Sequence, residues 1–594
     1  MPSKQEGRTD WSSLFVFGAA LLLLAASVLP ASAYRWGALV LLVFAGAKVR
    51  LAPPANALAA LLVVYCGWLF ANAAFFSVAY SADGIYRPAI LLAAATACAA
   101  LARESLARLF RFGAALLALL VLLGLLQYYF GFWHFAHNPE RAAATFVTPN
   151  TFATAINLIL LPLVAIQVLG KGGRRVVALA LWLFAGLIAS GSRGGLLAFF
   201  AGLAMISLCL DRRAAWRARP TWLPLVAGWL IVALVVPLLR HISFGGGAPG
   251  IADTDLGVVY ARGTWDRVEI YMTTMGLILQ HPFAGAGANM FFPLFEANKP
   301  YVFRNYVFPF AHNDYLQVWL EYGIVGLGLL LALVGTALVL ARRASLRMPG
   351  DPLPIACAGA LAGCFAHSMV DFPLYVPFTL MVTGSYLGAI ASRTGSSARL
   401  GIAFPALWEK AATPLIKAAL ASFALAWLAQ PVIADLAADH AIRELFAGRV
   451  DNGLYWASVA RRLEPRKSAH YWAEGTIWRD QAIATGNKML AARADAMFRE
   501  GVRAEPYQVA NYLELAKLHR THPGLFDRPV TPQQVLEWAA KAAKLRPYSV
   551  AAQAEYARSL AAAGRLTEAK QVAAKILKDH PESPLAQNVA AELQ

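Results

Sequence analysis

The sequence predicts an all-α protein in two parts: a polytopic bundle of about thirteen membrane helices over residues 1–430, then a soluble helical solenoid over 431–594. Three observations carry this reading. The 594 residues are 59% hydrophobic and only 14% charged, too little charge to cover an aqueous surface. Apolar runs of bilayer length, roughly 17–25 residues, recur up to Gln430. Beyond it the helical patterns become amphipathic and end at regularly placed prolines.

The apolar runs begin near Trp11, Trp36, Ala57, Arg87, Phe112, Thr151, Val176, Gly194, Trp222, Trp319, Pro354, Leu374 and Ala412, the second and fourth being short. Basic residues collect in every second loop, as cytoplasmic loops require: Lys4 and Arg8; Lys48 and Arg50; Arg103, Arg108 and Arg111; Lys171, Arg174 and Arg175; Arg212 to Arg219; Arg342, Arg343 and Arg347; Arg393 and Arg399. Arg35 and Arg87 break the pattern and read as interfacial anchors. The N-terminus is therefore expected in the cytoplasm, and an odd number of spans puts the tail outside. Topology accounts for much of the net charge of +18, which is not a nucleic-acid footprint. The run at Trp11 is too long for a cleaved signal peptide. Cys66, Cys98, Cys209, Cys357 and Cys364 all fall in spans as small hydrophobes, so neither a disulfide nor a metal cluster is expected.

In the tail, Pro465, Pro506 and Pro547 recur every 41 residues and Pro581 follows 34 later, the last interval being the tetratricopeptide period. Ala557, Gly564, Ala569 and Pro581 supply the small packing residues, turn and helix stop that such a repeat needs, while Thr521 to Pro532 is an insertion. Two roles are open to this stack: a concave face for a protein partner, or a scaffold capping the membrane part.

Two outer loops are long, Trp133 to Asn150 and His241 to about Gln317, and long loops at a membrane surface carry function. The second holds Arg262, Trp265, Arg267, Tyr271, the turn Gly285-Ala286-Gly287-Ala288 and His312. Its stretch Val268 to Gln280 reads as an interfacial amphipathic helix with Met272, Met275 and Ile278 toward lipid or protein. Arg193, in Ser-Gly-Ser-Arg-Gly-Gly, lies between two apolar spans on the same outer side, against the charge rule, which points to function. All these residues share one compartment, so a single site is possible.

Asp266-Arg-Val-Glu-Ile-Tyr271 followed by His281-Pro-Phe-Ala-Gly-Ala-Gly287 resembles the O-antigen ligase superfamily, which includes polysaccharide polymerases and bacterial protein O-oligosaccharyltransferases. Arg141 to Ala153, Ser190 to Gly195, His312 to Gly323 with Gly326, and His367-Ser-Met-Val-Asp371-Phe-Pro resemble further motifs of that family, so the likeness spans roughly Trp11 to Ile390. It implies a bacterial inner-membrane glycosyltransferase that moves a glycan from undecaprenyl diphosphate to an acceptor on the periplasmic side. Arg193 and Arg267 match the family's essential arginines and His312 its essential histidine. Ala144 stands where relatives often have glycine, Thr148 where they have asparagine, and Tyr271 where they have tryptophan.

The chemistry agrees with those roles. A departing diphosphate concentrates negative charge, and guanidinium groups grip phosphate oxygens in a fork without losing their proton. They stabilise that charge in a poorly hydrated site without a metal or other cofactor. An imidazole takes the acceptor's proton near pH 7, or alternatively positions the acceptor or binds diphosphate. Asp314 either orients His312 or caps the following span. Arg141 and Asn150 either contact sugar or diphosphate or serve locally, Arg262 lies in the same donor-facing loop, and His367 with Asp371 forms either a capping pair or part of the site.

The acceptor is expected to be a lipid A core sugar, another carrier-linked glycan, or a protein hydroxyl, with ligase-type transfer placed first. A carrier-lipid transporter is the competing class. Transporters place ionisable groups near mid-membrane, whereas the candidates here gather at one surface.

Overall fold

The computed structural model describes residues 18, 31–48, 57–77, 82–101, 103–133, 141–146, 148–210, 216, 219–244, 264–393 and 414–593. The run expected at Trp11 and the candidate Arg262 lie outside them. Among the described residues the architecture is entirely helical.

The bundle comprises α1 (Ala31–Lys48), α2 (Ala57–Phe75), α3 (Asp83–Ala100), α4 (Arg103–Phe130), α5 (Pro149–Val168), α6 (Arg174–Ala189), α7 (Arg193–Cys209) and α8 (Arg219–Phe244). Two short helices, α9 (Thr264–Ile278) and α10 (Phe291–Asn298), precede α11 (Asp314–Arg347), α12 (Pro352–His367), α13 (Pro377–Arg393) and α14 (Pro414–Phe446). Each expected span after the first starts within, or two or three residues before, one of α1 to α8 or α11 to α14. Five of these helices, α2, α4, α5, α11 and the Trp222–Arg240 stretch of α8, are long and apolar enough to cross a membrane. The chain is a polytopic membrane protein. The long outer loop is shorter than the sequence implied, because α8 runs on to Phe244 and α11 already starts at Asp314.

The centre of the bundle is α5, almost wholly buried against α6, α7, α12 and α13. Small residues set the closest approaches, as they must where lipid removes any hydrophobic drive between helices. Along α13, a side chain on Gly384 or Gly388 would strike the α3 carbonyls of Leu91 and Ala95.

Arg35 and Arg87 are corrected from interfacial anchors to internal pairs. Arg35 is buried and bridges Asp83 and Asp435, tying α1 to α3 and α14. Arg87 stacks on Tyr375 with its guanidinium 4.3 Å from the ring and donates to Asn289 Oδ1 at 2.7 Å. Arg35 departs from the charge rule because carboxylates inside the protein match its charge, and Arg87 because Asn289 and the Tyr375 ring hold its guanidinium.

Above the bundle, α9, α10 and the start of α11 enclose an apolar cluster of Ile270, Leu277, Ile278, Phe291, Phe295, Phe303, Phe308 and Leu320. The packing face of α9 is thus Ile270, Leu277 and Ile278, while Met272 points outward, not with Ile278 as the sequence pattern implied. The Gly285 turn interlocks with a kink in α11 at Gly323, where φ is +69°. Ala286 N and Gly287 N donate to Leu320 O and Glu321 O at 2.7 and 3.0 Å, and Ile324 N donates to Pro282 O at 2.9 Å. A side chain on Gly323 would strike the Phe283 carbonyl. Two of the sequence motifs are therefore the halves of one backbone lock.

The tail continues α14 with α15 (Val450–Leu463), α16 (Ser468–Thr485), α17 (Lys488–Ala504), α18 (Val509–Thr521), α19 (Pro532–Leu545), α20 (Val550–Ala562), α21 (Leu566–Asp579) and α22 (Pro584–Glu592). Consecutive helices pack in pairs, α14 with α15 through α20 with α21, and α22 closes the stack. Arginine–glutamate bridges join the first helices of successive pairs: Arg479 to Glu514, Arg520 to Glu555 and, at the closing end, Arg558 to Glu592, spaced 35, 35 and 34 residues apart.

The edge bearing the four prolines docks on the membrane part. Arg466 donates to the carbonyls of Ala74 and Ser77 at 3.1 and 2.7 Å. Tyr507 packs against the cluster above the bundle, Arg546 pairs with Glu296 at 2.8 Å, and Asp579 accepts from Tyr301 at 2.6 Å.

Candidate active site

The site is assembled from helix ends. Thr148 caps α5 by accepting from Thr151 N, with Pro149 in the first turn; Ser192 caps α7 by accepting from Gly195 N; Asn313 caps α11 by accepting from Tyr315 N and Leu316 N. These caps fix Asn150, Arg193 and His312 within two residues of three helix N-termini, each of which carries partial positive charge.

Side-chain contacts draw the ends together. Arg141 Nε donates to Ser190 O at 2.7 Å and its terminal nitrogen to Asn150 Oδ1 at 2.9 Å, joining the loop before α5 to the turn before α7. His367, the last residue of α12, holds Thr154 of α5 through Nδ1 at 2.7 Å and sits against Gly194, where its ring occupies the space a side chain would need. Asp314 N donates to Ser368 O at 2.8 Å, tying α11 to α12.

His312 is 2% exposed and in the left-handed region at φ +52°, a conformation that costs a residue with a side chain about 1–3 kcal/mol. Its Nδ1 lies 3.2 Å from Asp371 Oδ1, and Tyr271 OH donates to its carbonyl at 2.7 Å. Burial alone would raise the Asp371 carboxyl, but the hydrogen bond from His312 and the charges of His312, His367 and Arg267 hold it below its ordinary value. An ionised carboxylate only accepts, so Nδ1 carries the proton and a neutral His312 has its lone pair on Nε2.

Arg193 is exposed at the start of α7, and Arg267 is half-buried in the first turns of α9. Both act electrostatically on Arg141. Burial lowers that guanidinium from its ordinary value, Asp371 opposes the shift, and the charges of Arg267 and Arg193 add to it. Three guanidinium groups thus share a neighbourhood with the carboxylate of Asp371.

The residues matched by the O-antigen ligase family model are 178–331, the segment that carries Arg193, Arg267 and His312. Over that segment the chain is similar to the O-antigen ligase family. No curated protein matches it. The match supports a membrane glycosyltransferase of the O-antigen ligase and polymerase type.

The sequence candidates Arg193, Arg267 and His312 lie at one end of the bundle with Arg141 and Asn150. Asp314 takes neither of its two expected roles: Asn313 caps α11 and Asp371 holds His312, while Asp314 is buried and accepts from Leu374 N at 2.9 Å. The sequence paired Asp371 with His367, as a capping pair or as part of the site, and did not pair it with His312. The three departures from the superfamily's pattern also have local causes. Ala144 adopts φ +51°, where glycine is at ease, and is clamped there by Gln127, which accepts from Ala144 N and donates to Ala144 O, both at 2.8 Å. Thr148 is an N-cap, where threonine and asparagine both serve. Tyr271 keeps a polar hydrogen for the His312 carbonyl, and burial pushes its phenol up to about 12.

Proposed function

We propose that this protein transfers a preassembled glycan from undecaprenyl diphosphate to an acceptor hydroxyl, with ligase-type transfer to a lipid A core sugar as the first reading. The observation that carries it is the group of Arg141, Arg193 and Arg267, coupled in charge, beside a histidine held by Asp371. Three like charges, two of them in the first turns of α7 and α9, suit an anion of more than one charge, and the donor's diphosphate is such an anion.

In the proposed reaction Arg193 and Arg267 bind the diphosphate, and Arg141 adds charge from behind, held by Asn150 and Ser190. The acceptor oxygen attacks the anomeric carbon as the bond from that carbon to the diphosphate oxygen breaks. His312 Nε2 takes the hydroxyl proton, and the electron pair of the broken bond leaves on undecaprenyl diphosphate, where the guanidinium groups stabilise it. Single displacement inverts the anomeric centre. Asp371 stabilises the imidazolium that forms.

The accompanying topology has thirteen spans in the bacterial inner membrane, the N-terminus in the cytoplasm and the site in the periplasm. The tail, from about residue 431, is read as a periplasmic tetratricopeptide-like domain. Its proline edge docked on the bundle supports the capping role, and its opposite face stays available to a protein partner.

The test is the glycan left on undecaprenyl diphosphate in cells lacking the gene, complemented by the wild type or by His312→Ala. Long chains that only the wild type relieves are expected. Accumulated single repeat units would identify a polymerase instead.

A further inference from the structure

A second feature lies at the opposite end of the bundle from the arginine group. A cavity of about 560 Å³ opens between α4, α5, α6, α12 and α13, within the ~300–1,000 Å³ of sites that bury a small ligand. Its walls are apolar, with Phe110, Leu163 and Met381 among them, and its mouth carries Arg103, Arg111 and Arg175. The one acidic residue on its lining, Asp351, is already engaged by Arg103 at 2.7 Å and by Arg393 at 3.3 Å. Arg111 and Arg175 are exposed, so the mouth carries net positive charge.

The depth of the cavity selects its occupant. Along α13 its lining runs from Phe378 to Ala389, roughly 16 Å at 1.5 Å per residue, which is about half of a ~30 Å hydrocarbon core. It reaches from one membrane face to the middle, the depth of one acyl chain. At its inner end Phe378 packs on Phe146 at 5.7 Å, and Phe146 packs on Phe152 at 5.9 Å. These rings separate the cavity from the segment that bears Arg141.

We propose that this cavity binds an anionic phospholipid of the leaflet opposite the arginine group, one acyl chain lying between the helices and the headgroup phosphate held by Arg111, Arg175 and Arg103. The lipid fills space beneath the Phe378–Phe146 contact and so supports the Arg141 segment from below. This assignment is independent of the acceptor and of the reaction proposed above.

The test is native mass spectrometry of the full-length protein taken from nanodiscs of phosphatidylcholine doped with phosphatidylglycerol. Wild type is expected to retain phosphatidylglycerol, and Arg111→Ser combined with Arg175→Ser to reduce its preference over phosphatidylcholine by on the order of tenfold. Gly113→Leu grows into the cavity, where the nearest atom to an added Cβ is Ile159 Cδ1 at 3.8 Å, and should retain neither lipid. Thermal unfolding in lipid-free detergent verifies that the variants fold; should Gly113→Leu not fold, the exposed arginine pair decides alone. Equal retention of both lipids by wild type, unchanged preference in the arginine variant, or displacement of phosphatidylglycerol by undecaprenyl phosphate would overturn the proposal.

Discussion

The tail and the outer end of the bundle use the same charged residues to opposite effect. In the tail arginines meet glutamates one for one: Arg479 with Glu514, Arg520 with Glu555 and Arg558 with Glu592. At the outer end Arg141, Arg193 and Arg267 crowd together with Asp371, and the carboxylate is already engaged by His312. Matched charge stabilises a fold and asks for nothing further. Unmatched charge in a half-buried site raises the energy of the empty protein and falls when an anion arrives, which is how a site stores preference for a diphosphate. Substitutions in the two regions should therefore separate stability from transfer.

The largest effect is expected at the arginines of the outer end. Arg193→Ala and Arg267→Ala should each lower glycan transfer in proteoliposomes by about 10²–10³-fold, with unfolding temperature unchanged or raised because like charges part. A fall in unfolding temperature that accounts for the lost activity would assign them to structure.

Asp371→Asn comes next. The amide keeps the shape but no longer fixes the tautomer of His312 or stabilises its charged form, so transfer should fall on the order of 10²-fold while donor binding, read by equilibrium capture of labelled lipid, holds. Equal losses in binding and in transfer would contradict an orienting role.

In the tail, Arg520→Ala leaves Glu555 buried with its bidentate partner gone. A cost of about 1.5–3 kcal/mol in the tail's stability is expected, with transfer per folded molecule unchanged. Chemical unfolding followed by tryptophan fluorescence measures it.

The smallest effect concerns acid. Burial would raise the Asp495 carboxyl, but hydrogen bonds from His519 and Arg499 and their charges hold it below its ordinary value. A carboxyl depressed in the folded state contributes stability that is complete above its unfolded value, about 3.9, and is lost as pH falls through the folded one. Asp371 follows the same sign. Asp495→Asn should therefore lower stability by a constant amount from pH 5 to 8 and flatten the acid limb of unfolding below about pH 4; a changed slope in the neutral range would show that another group titrates.

The apolar helices were legible because lipid imposes a length and a composition on them, and the paired tail helices because the prolines end the second helix of each pair. Arg35 and Arg87 were misread for a physical reason: the charge rule treats an arginine as a loose cation at a surface, and cannot see Asp435 400 residues away or the ring of Tyr375. The face of α9 was misread because Met272 and Ile278 look alike to a periodicity, and only the packing of α10 decides between them. Arg193, Arg267 and His312 were picked out by their motifs, and the structure brings them to one end of the bundle. Asp371 was not assigned its partner, because its bond to His312 crosses 59 positions and follows from α11 and α12 meeting at their ends. The glycines of the Gly285 turn and Gly323 looked like one motif each and are one lock.

The central claim is that these groups form a single transfer site in which binding and proton removal fall to different residues. The most direct measurement compares donor binding and single-turnover transfer for His312→Ala in proteoliposomes holding the undecaprenyl diphosphate-linked glycan and its acceptor. Donor affinity close to wild type with transfer reduced by about 10²–10⁴-fold is the expected result. Transfer near the wild-type rate, or loss of donor binding in proportion to loss of transfer, would contradict the account.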